Sequence, residues 1–191
     1  MNTDVKKSLF AALFLLMAAC FSLQAMPARV ILIRSAEIPE HGNDLSLRGQ
    51  ERALAYVPYF QGTDYLQDFG WPVAIYVHKQ SAAEPTIRTI LTVTPLANAL
   101  NLPIIDKFGH SDIAKMVAEI KSTPAYEGKA VLICWGNERM WQIAEMFGVK
   151  PSPKPWPNEA HDRTWIIDIK YKEPVEYKNY PQRLLYGDSY Y

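Results

Sequence analysis

The sequence predicts an α/β fold with a largely parallel central sheet, on three observations. Short runs of Val, Ile and Leu recur at 30–33, 73–77, 103–105, 130–135 and 164–169. They lack the polar alternation of a half-exposed strand, which marks strands covered on both faces. Between them lie stretches with apolar residues at i, i+3, i+4 and i+7, the stripe of a helix that packs one face. Strands that alternate with helices in this way build a sandwich with right-handed crossovers. The chain has 191 residues, 49% of them hydrophobic, enough for one sizeable core and most simply one domain.

Ahead of the first strand, Lys6 and Lys7 precede an apolar run at 9–16, with Ala18 and Ala19 behind it. That is the order of a secretory signal, too short for a spanning helix. Residues 1–25 are expected to be a signal peptide, with the folded domain over 26–191. Three endings are open: cleavage after Ala25, a lipobox at 17–20 that lipidates Cys20, or an uncleaved anchor. Each places the domain outside the cytoplasm, periplasmic or extracellular, with a lipid on Cys20 as its one link to a membrane.

The first strand ends at Arg34-Ser35 and opens into a polar loop over 38–44. Ser46 is the expected N-cap of the helix that follows. Leu47, Ala53, Leu54 and Val57 form its expected apolar face, and Pro58 its end. A polar and aromatic connector over 61–70 leads to the second strand near 72–77, and a loop over 78–85 to a helix over 86–100. Pro95 either kinks that helix or starts a second one. Ile113, Met116, Val117 and Ile120 mark the next helix, opened by Ser111 or Asp112. Met140, Ile143, Ala144 and Phe147 mark another, closed by Gly148. The proline-rich 151–157 is an extended connector, and the tail is expected to be ordered as far as Asp188.

Formal net charge is zero and the basic residues are dispersed, so no basic stripe points to nucleic acid. No Cys/His cluster has metal-ligand spacing, and no metal or other cofactor is implied. Cys134 lies within an apolar strand, where free cysteines are commonly buried. Trp71, Trp156 and Trp165 are expected in core and rim. An arginine at the end of a buried strand stands at the carboxyl edge of the sheet, where open α/β folds keep their ligands. Arg34 has that position, and its planar guanidinium suits bidentate binding of phosphate oxygens. A structural ion pair is the alternative.

The strand over 29–34, its loop, and Leu45-Ser46-Leu47-Arg48-Gly49 resemble the first motif of the histidine phosphatase (phosphoglycerate mutase-like) superfamily. That family reads Arg-His-Gly or Arg-His-Ala-Glu, then Leu-Ser/Thr-x-x-Gly. The stretch at 88–97, Arg88 to Ala97, is similar to the family's Arg-x-x-x-Thr-x-x-Pro-Leu-Ala. The stretch at 128–137 is similar to a segment ending Leu-Ile-Cys-Trp-Glu-His. The resemblance covers roughly 29–188 and implies a three-layer α/β/α sandwich. It implies that Arg34 and Arg88 bind phosphate, and that Ser35 and Asn137 stand where the family has its phospho-accepting histidine and its second histidine.

Both substitutions matter chemically. A neutral imidazole is nucleophilic near pH 7, whereas a serine hydroxyl needs an adjacent base or a metal. Asn137 can cap a helix or donate an amide hydrogen bond, but carries no positive charge. Loss of the nucleophile leaves only residual catalysis from binding and electrostatics. The expectation is an exported, degenerate member that binds a phosphorylated small molecule or other anion, with weak or absent phosphatase activity. Two rivals remain: a phosphomonoesterase with a non-standard nucleophile, Ser35 or a loop histidine, and a scaffold whose arginines are structural. The chain has four histidines, His41, His78, His110 and His161, all expected in loops or at element edges. His41 and His78 are placed to overhang the pocket, and Glu37 and Asp162 are the acid candidates.

Overall fold

The computed structural model describes residues 26–82, 85–169, 175 and 177–189. The signal peptide, its cleavage site and Cys20 fall outside the described residues. No described helix is long and apolar enough to cross a membrane. The elements run β1 (Arg29–Arg34), α1 (Leu47–Gly62), α2 (Asp64–Gln67), β2 (Ala74–His78), α3 (Arg88–Leu100), β3 (Ile104–Phe108), α4 (Ile113–Ser122), β4 (Ala130–Trp135), α5 (Met140–Met146), β5 (Arg163–Asp168) and β6 (Tyr177–Pro181).

The six strands form one sheet in the order β3-β2-β4-β1-β5-β6. β1, β2, β3 and β4 pair in parallel, β5 runs antiparallel to β1, and β6 antiparallel to β5. Because successive side chains point to opposite faces, β1 feeds two cores. Val30 and Leu32 pack with α4 and α5 on one face, and Ile31 and Ile33 with α1, α2 and α3 on the other. The result is the three-layer α/β/α sandwich, with the ends of β1, β2, β3 and β4 along one edge.

The helices differ from expectation in two respects. Ser46 caps α1, its hydroxyl accepting from the Gly49 amide at 3.1 Å, but the helix runs through Pro58 to Gly62. One lost amide donor is outweighed there by burial of Tyr56, Tyr59 and Phe60 against the sheet. The buried face is also rotated: Leu47 and Leu54 are exposed, while Gly49, Arg52 and Ala53 face inward. Polar residues hid that face from a reading based on apolar spacing. α3 is a single helix with Pro95 inside it.

The inward arginine of α1 organises the C-terminal end of β1. Arg52 is 1% exposed and bonds both Glu37 oxygens, at 2.6 and 2.9 Å, and both Asp188 oxygens, at 2.7 and 2.9 Å. Arg48 adds contacts to Glu37 at 3.0 Å and Asp188 at 2.8 Å. Asp188 also accepts from the Leu184 and Leu185 amides, which fastens the tail beneath the loop after β1. Burial works to raise both carboxyls, but the Arg52 hydrogen bonds outweigh it, holding Glu37 below its usual range and Asp188 down to about 2.

Gly49 completes the joint: a Cβ there would lie 2.2 Å from the Glu37 carbonyl oxygen. Alanine would gain about 1 kcal/mol of helix propensity. A clash with fixed backbone costs about 3 kcal/mol, so the clash wins. Gly49→Ala is expected to lower stability in urea unfolding by about 2 kcal/mol, and an unchanged or raised midpoint would contradict this. Asp188 binds its proton less readily folded than unfolded, so its stabilisation is present above pH 3.8 and is lost as pH falls from there toward 2. Asp188→Asn is expected to cost about 2 kcal/mol at pH 7. The gap from wild type should close across that acid window, and a pH-independent gap would refute the linkage.

Candidate functional site

The carboxyl ends of β1, β2, β3 and β4 meet around a polar cavity of about 140 Å³. Ser35 enters it directly after β1, and His78 is the last residue of β2. Arg88 and Thr89 come from the first turn of α3. His110 follows β3, and Gly136 and Glu138 follow β4. Two of its lining rings are in contact: His78 lies edge-on to His110, ring centroids 5.3 Å apart, and also to Trp135 of β4 at 5.5 Å. The Trp135 indole donates to the His110 carbonyl at 3.1 Å, fixing the loop after β3 to β4.

Arg88 reaches the cavity from one side while its guanidinium donates to the Gly42 carbonyl at 2.6 Å, so the polar 38–44 loop folds over it. The Thr92 hydroxyl accepts from the Ala36 amide at 2.9 Å and donates to the Arg88 carbonyl at 2.7 Å, locking α3 to the segment after β1. Arg88 Nε and the buried Thr89 hydroxyl have no hydrogen-bond partner among the described residues. Buried polar atoms are normally satisfied, so two unpartnered ones in residues that line a cavity mark a place where a polar ligand could complete the hydrogen bonding.

Arg34 has a different place. It is 6% exposed and is not among the residues that line the cavity. Its guanidinium donates to the carbonyls of Asn158 and, at 3.4 Å, Pro157; its Nε has no partner among the described residues. Burial lowers its proton affinity, opposed chiefly by the nearby Glu138 carboxylate.

Asn137 begins a short 3₁₀ turn, with Gly136 at the cap position. It caps nothing: its amide donates to the Asn158 side-chain oxygen at 2.8 Å, holding the 157–158 segment that also engages Arg34. Glu37 is bound up with Arg48 and Arg52 and stays ionised at neutral pH, so it has no proton to give as an acid. Asp162 accepts from the Ser189 amide and hydroxyl at 2.6 and 2.9 Å. It faces a separate cleft of about 900 Å³ beside the 149–160 segment, far richer in proline and aromatic lining. Trp156 and Trp165 are buried there and Trp71 is exposed.

The histidines divide the same way. His41 is exposed in the 38–44 loop, whereas His78 is buried. His161 Nδ1 lies 2.9 Å from the Ser35 carbonyl. A carbonyl only accepts, so Nδ1 carries the proton, and burial followed by the Arg34 charge lowers the imidazole pKa. His110 Nε2 pairs with Glu138 Oε1 at 2.5 Å, and that hydrogen bond holds Glu138 below its usual range. Sequence reasoning missed Glu138 and Thr89 and placed His110 at an unremarkable loop edge. The rule that singled out Arg34, proximity to a strand's carboxyl end, applies equally to His110 and Glu138. Cys134 is a free cysteine buried in β4, its thiol pushed up by burial and unsuited to nucleophilic work.

No protein-family model matches this chain, and no curated protein does. Solved structures do. One is the protein histidine phosphatase SixA complexed with tungstate, at 13% identity and TM-score 0.55, covering 79% of this chain and 93% of that one. Another is the putative phosphohistidine phosphatase SixA from Agrobacterium tumefaciens, at 16% identity and TM-score 0.48, covering 75% and 92%. The chain has a histidine phosphatase-like fold, and its sheet carries the polar cavity just described at the carboxyl edge.

Proposed function

We propose that this domain binds a phosphate group or a phosphorylated small molecule in the cavity at the sheet's carboxyl edge, with weak or absent phosphatase activity. The observation that carries the reading is the cavity lining: Arg88 and Thr89, each with a buried polar atom unpartnered among the described residues, line it together with Ser35. A guanidinium and hydroxyls are hydrogen-bond donors suited to a tetrahedral oxyanion. Tungstate, held by the neighbouring SixA structure, is an anion of that kind. Ser35 stands where the resembled motif has histidine, and the neighbouring His161 bonds its carbonyl rather than its hydroxyl. A histidine phosphatase-like fold thus keeps an oxyanion cavity without the usual nucleophile. The order of charge, apolar run and small residues at 6–19 supports export of the domain.

A second reading is favoured by one feature: His78 and His110 both line the same cavity. In that case a histidine from β2 or from the loop after β3 attacks phosphorus in place of Ser35, and a phosphohistidine accumulates during turnover.

Thermal unfolding with inorganic phosphate tests the binding reading. A ligand at a hundredfold excess over its Kd adds about 3 kcal/mol, so the melting temperature of the full chain should rise by several degrees. Arg88→Gln should remove most of that rise. An equal rise in both proteins would place the anion elsewhere. Hydrolysis of an aryl phosphate between pH 4 and 8 should be near background. Robust turnover, with a phosphohistidine found by mass spectrometry, would overturn the binding reading in favour of the second.

A further inference from the structure

We propose that His110 supplies a positive charge of the oxyanion cavity, and that Glu138 is the counter-ion a tetrahedral dianion displaces. The inference rests on the reading of the cavity as an anion site and assigns two residues to it. Asn137, from the end of β4, brings no charge and turns its amide to Asn158. His110 comes from a different strand end and reaches the same cavity.

Gly136 makes the arrangement possible. A Cβ at that position would lie 2.5 Å from His110 Nε2 and 2.7 Å from Glu138 Oε1. The missing side chain is therefore the space in which the imidazole and the carboxylate meet. In the resembled Trp-Glu-His segment the corresponding position carries a glutamate, whose side chain would fill that space.

Glu138 behaves as a stand-in for an anion. Its oxygen sits 2.5 Å from His110 Nε2 and it lines the cavity with Arg88 and Ser35. It is also the carboxylate that most strongly opposes the lowering of proton affinity at Arg34. Its side chain is 55% exposed, so it can rotate into solvent without a desolvated charge being stranded. A tetrahedral dianion entering in its place would meet the His110 imidazolium in the cavity that Arg88 and Thr89 also line.

The groups facing His110 come from several elements. His78 lies edge-on from β2, Arg88 enters from α3, and Glu138 comes from the turn after β4. Asp112, at the start of α4, accepts from the Gly109 amide and is paired with Lys115. The Lys79 amide bonds the Phe108 carbonyl, and Arg139 adds positive charge beside Glu138. A dianion gives the imidazolium a doubly charged partner in place of a singly charged one. Binding therefore takes up a proton in the pH range where His110 titrates, and affinity falls as pH rises.

The test is calorimetric titration of the full chain with sulfate, which stays a dianion from pH 5.5 to 8.0, so any titrating group belongs to the protein. Wild-type affinity should fall about tenfold across that range. His110→Asn should weaken binding about tenfold at pH 5.5 and flatten the profile. Glu138→Gln should bind several-fold tighter than wild type, a gain that a folding defect cannot imitate. A His110→Asn profile as steep as wild type, or weaker binding by Glu138→Gln, overturns the inference. If Arg88→Gln abolishes binding while His110→Asn changes nothing, the anion site stands and the role of His110 falls. Sulfate heat absent from wild type at every pH removes both.

Discussion

The joint between Arg52, Glu37 and Asp188 is the constraint on which the rest of this structure depends. A guanidinium 1% exposed cannot be left unpaired, because a buried lone charge costs far more than its pairing contributes. Both carboxylates must therefore be present, one from the loop after β1 and one from the C-terminal tail. That requirement fixes the chain direction immediately beyond Arg34 and Ser35. The same loop gives its Glu37 carbonyl to the Ser46 amide at 2.9 Å and packs against the bare Cα of Gly49. Ser35 is thus delivered to the cavity by a backbone held at both ends, one end in the sheet and the other in a buried ion cluster.

The sandwich was legible in the sequence because its strands are continuous apolar runs and its helices mostly carry a clear stripe. β4 was read at its observed bounds and Ser46 at its observed role. β6 was not foreseen, since Tyr177-Lys178-Asn179-Tyr180-Pro181 has neither an apolar run nor alternation. It is an edge strand held by pairing with β5, so its order comes from the neighbour rather than from its own composition. The inward face of α1 escaped for a related reason: Arg52 is buried by ion pairing, which no hydrophobic pattern reports.

The site divides along the same line. Motif similarity brought Ser35 and Arg88 to attention, and both line the cavity. It also brought Arg34, Glu37, Asn137 and Asp162, whose side chains are engaged by carbonyls, arginines, Asn158 and Ser189 respectively. His110 and Glu138 each stand just past a strand's carboxyl end, but their pairing was not legible because it depends on the loops after β3 and β4 meeting over Gly136. That is a property of strand order, β3-β2-β4, and not of any local spacing. Physically, the carboxyl edge carries the Arg88 guanidinium and the Thr89 hydroxyl, while the hydroxyl of Ser35 stands where the resembled family has an imidazole. On the proposed reading such a wall holds an oxyanion, and Ser35 itself brings no imidazole with which to form a covalent phosphoenzyme.

The central claim is that this cavity, and not the larger proline-lined cleft, is where an oxyanion sits. Anomalous diffraction from crystals soaked in tungstate tests it most directly. The account predicts one strong tungsten peak within hydrogen-bond reach of Arg88, Thr89 and His110, with Glu138 swung toward solvent. Tungsten beside Trp156 and Asp162, with the His110–Glu138 pair undisturbed, would contradict it.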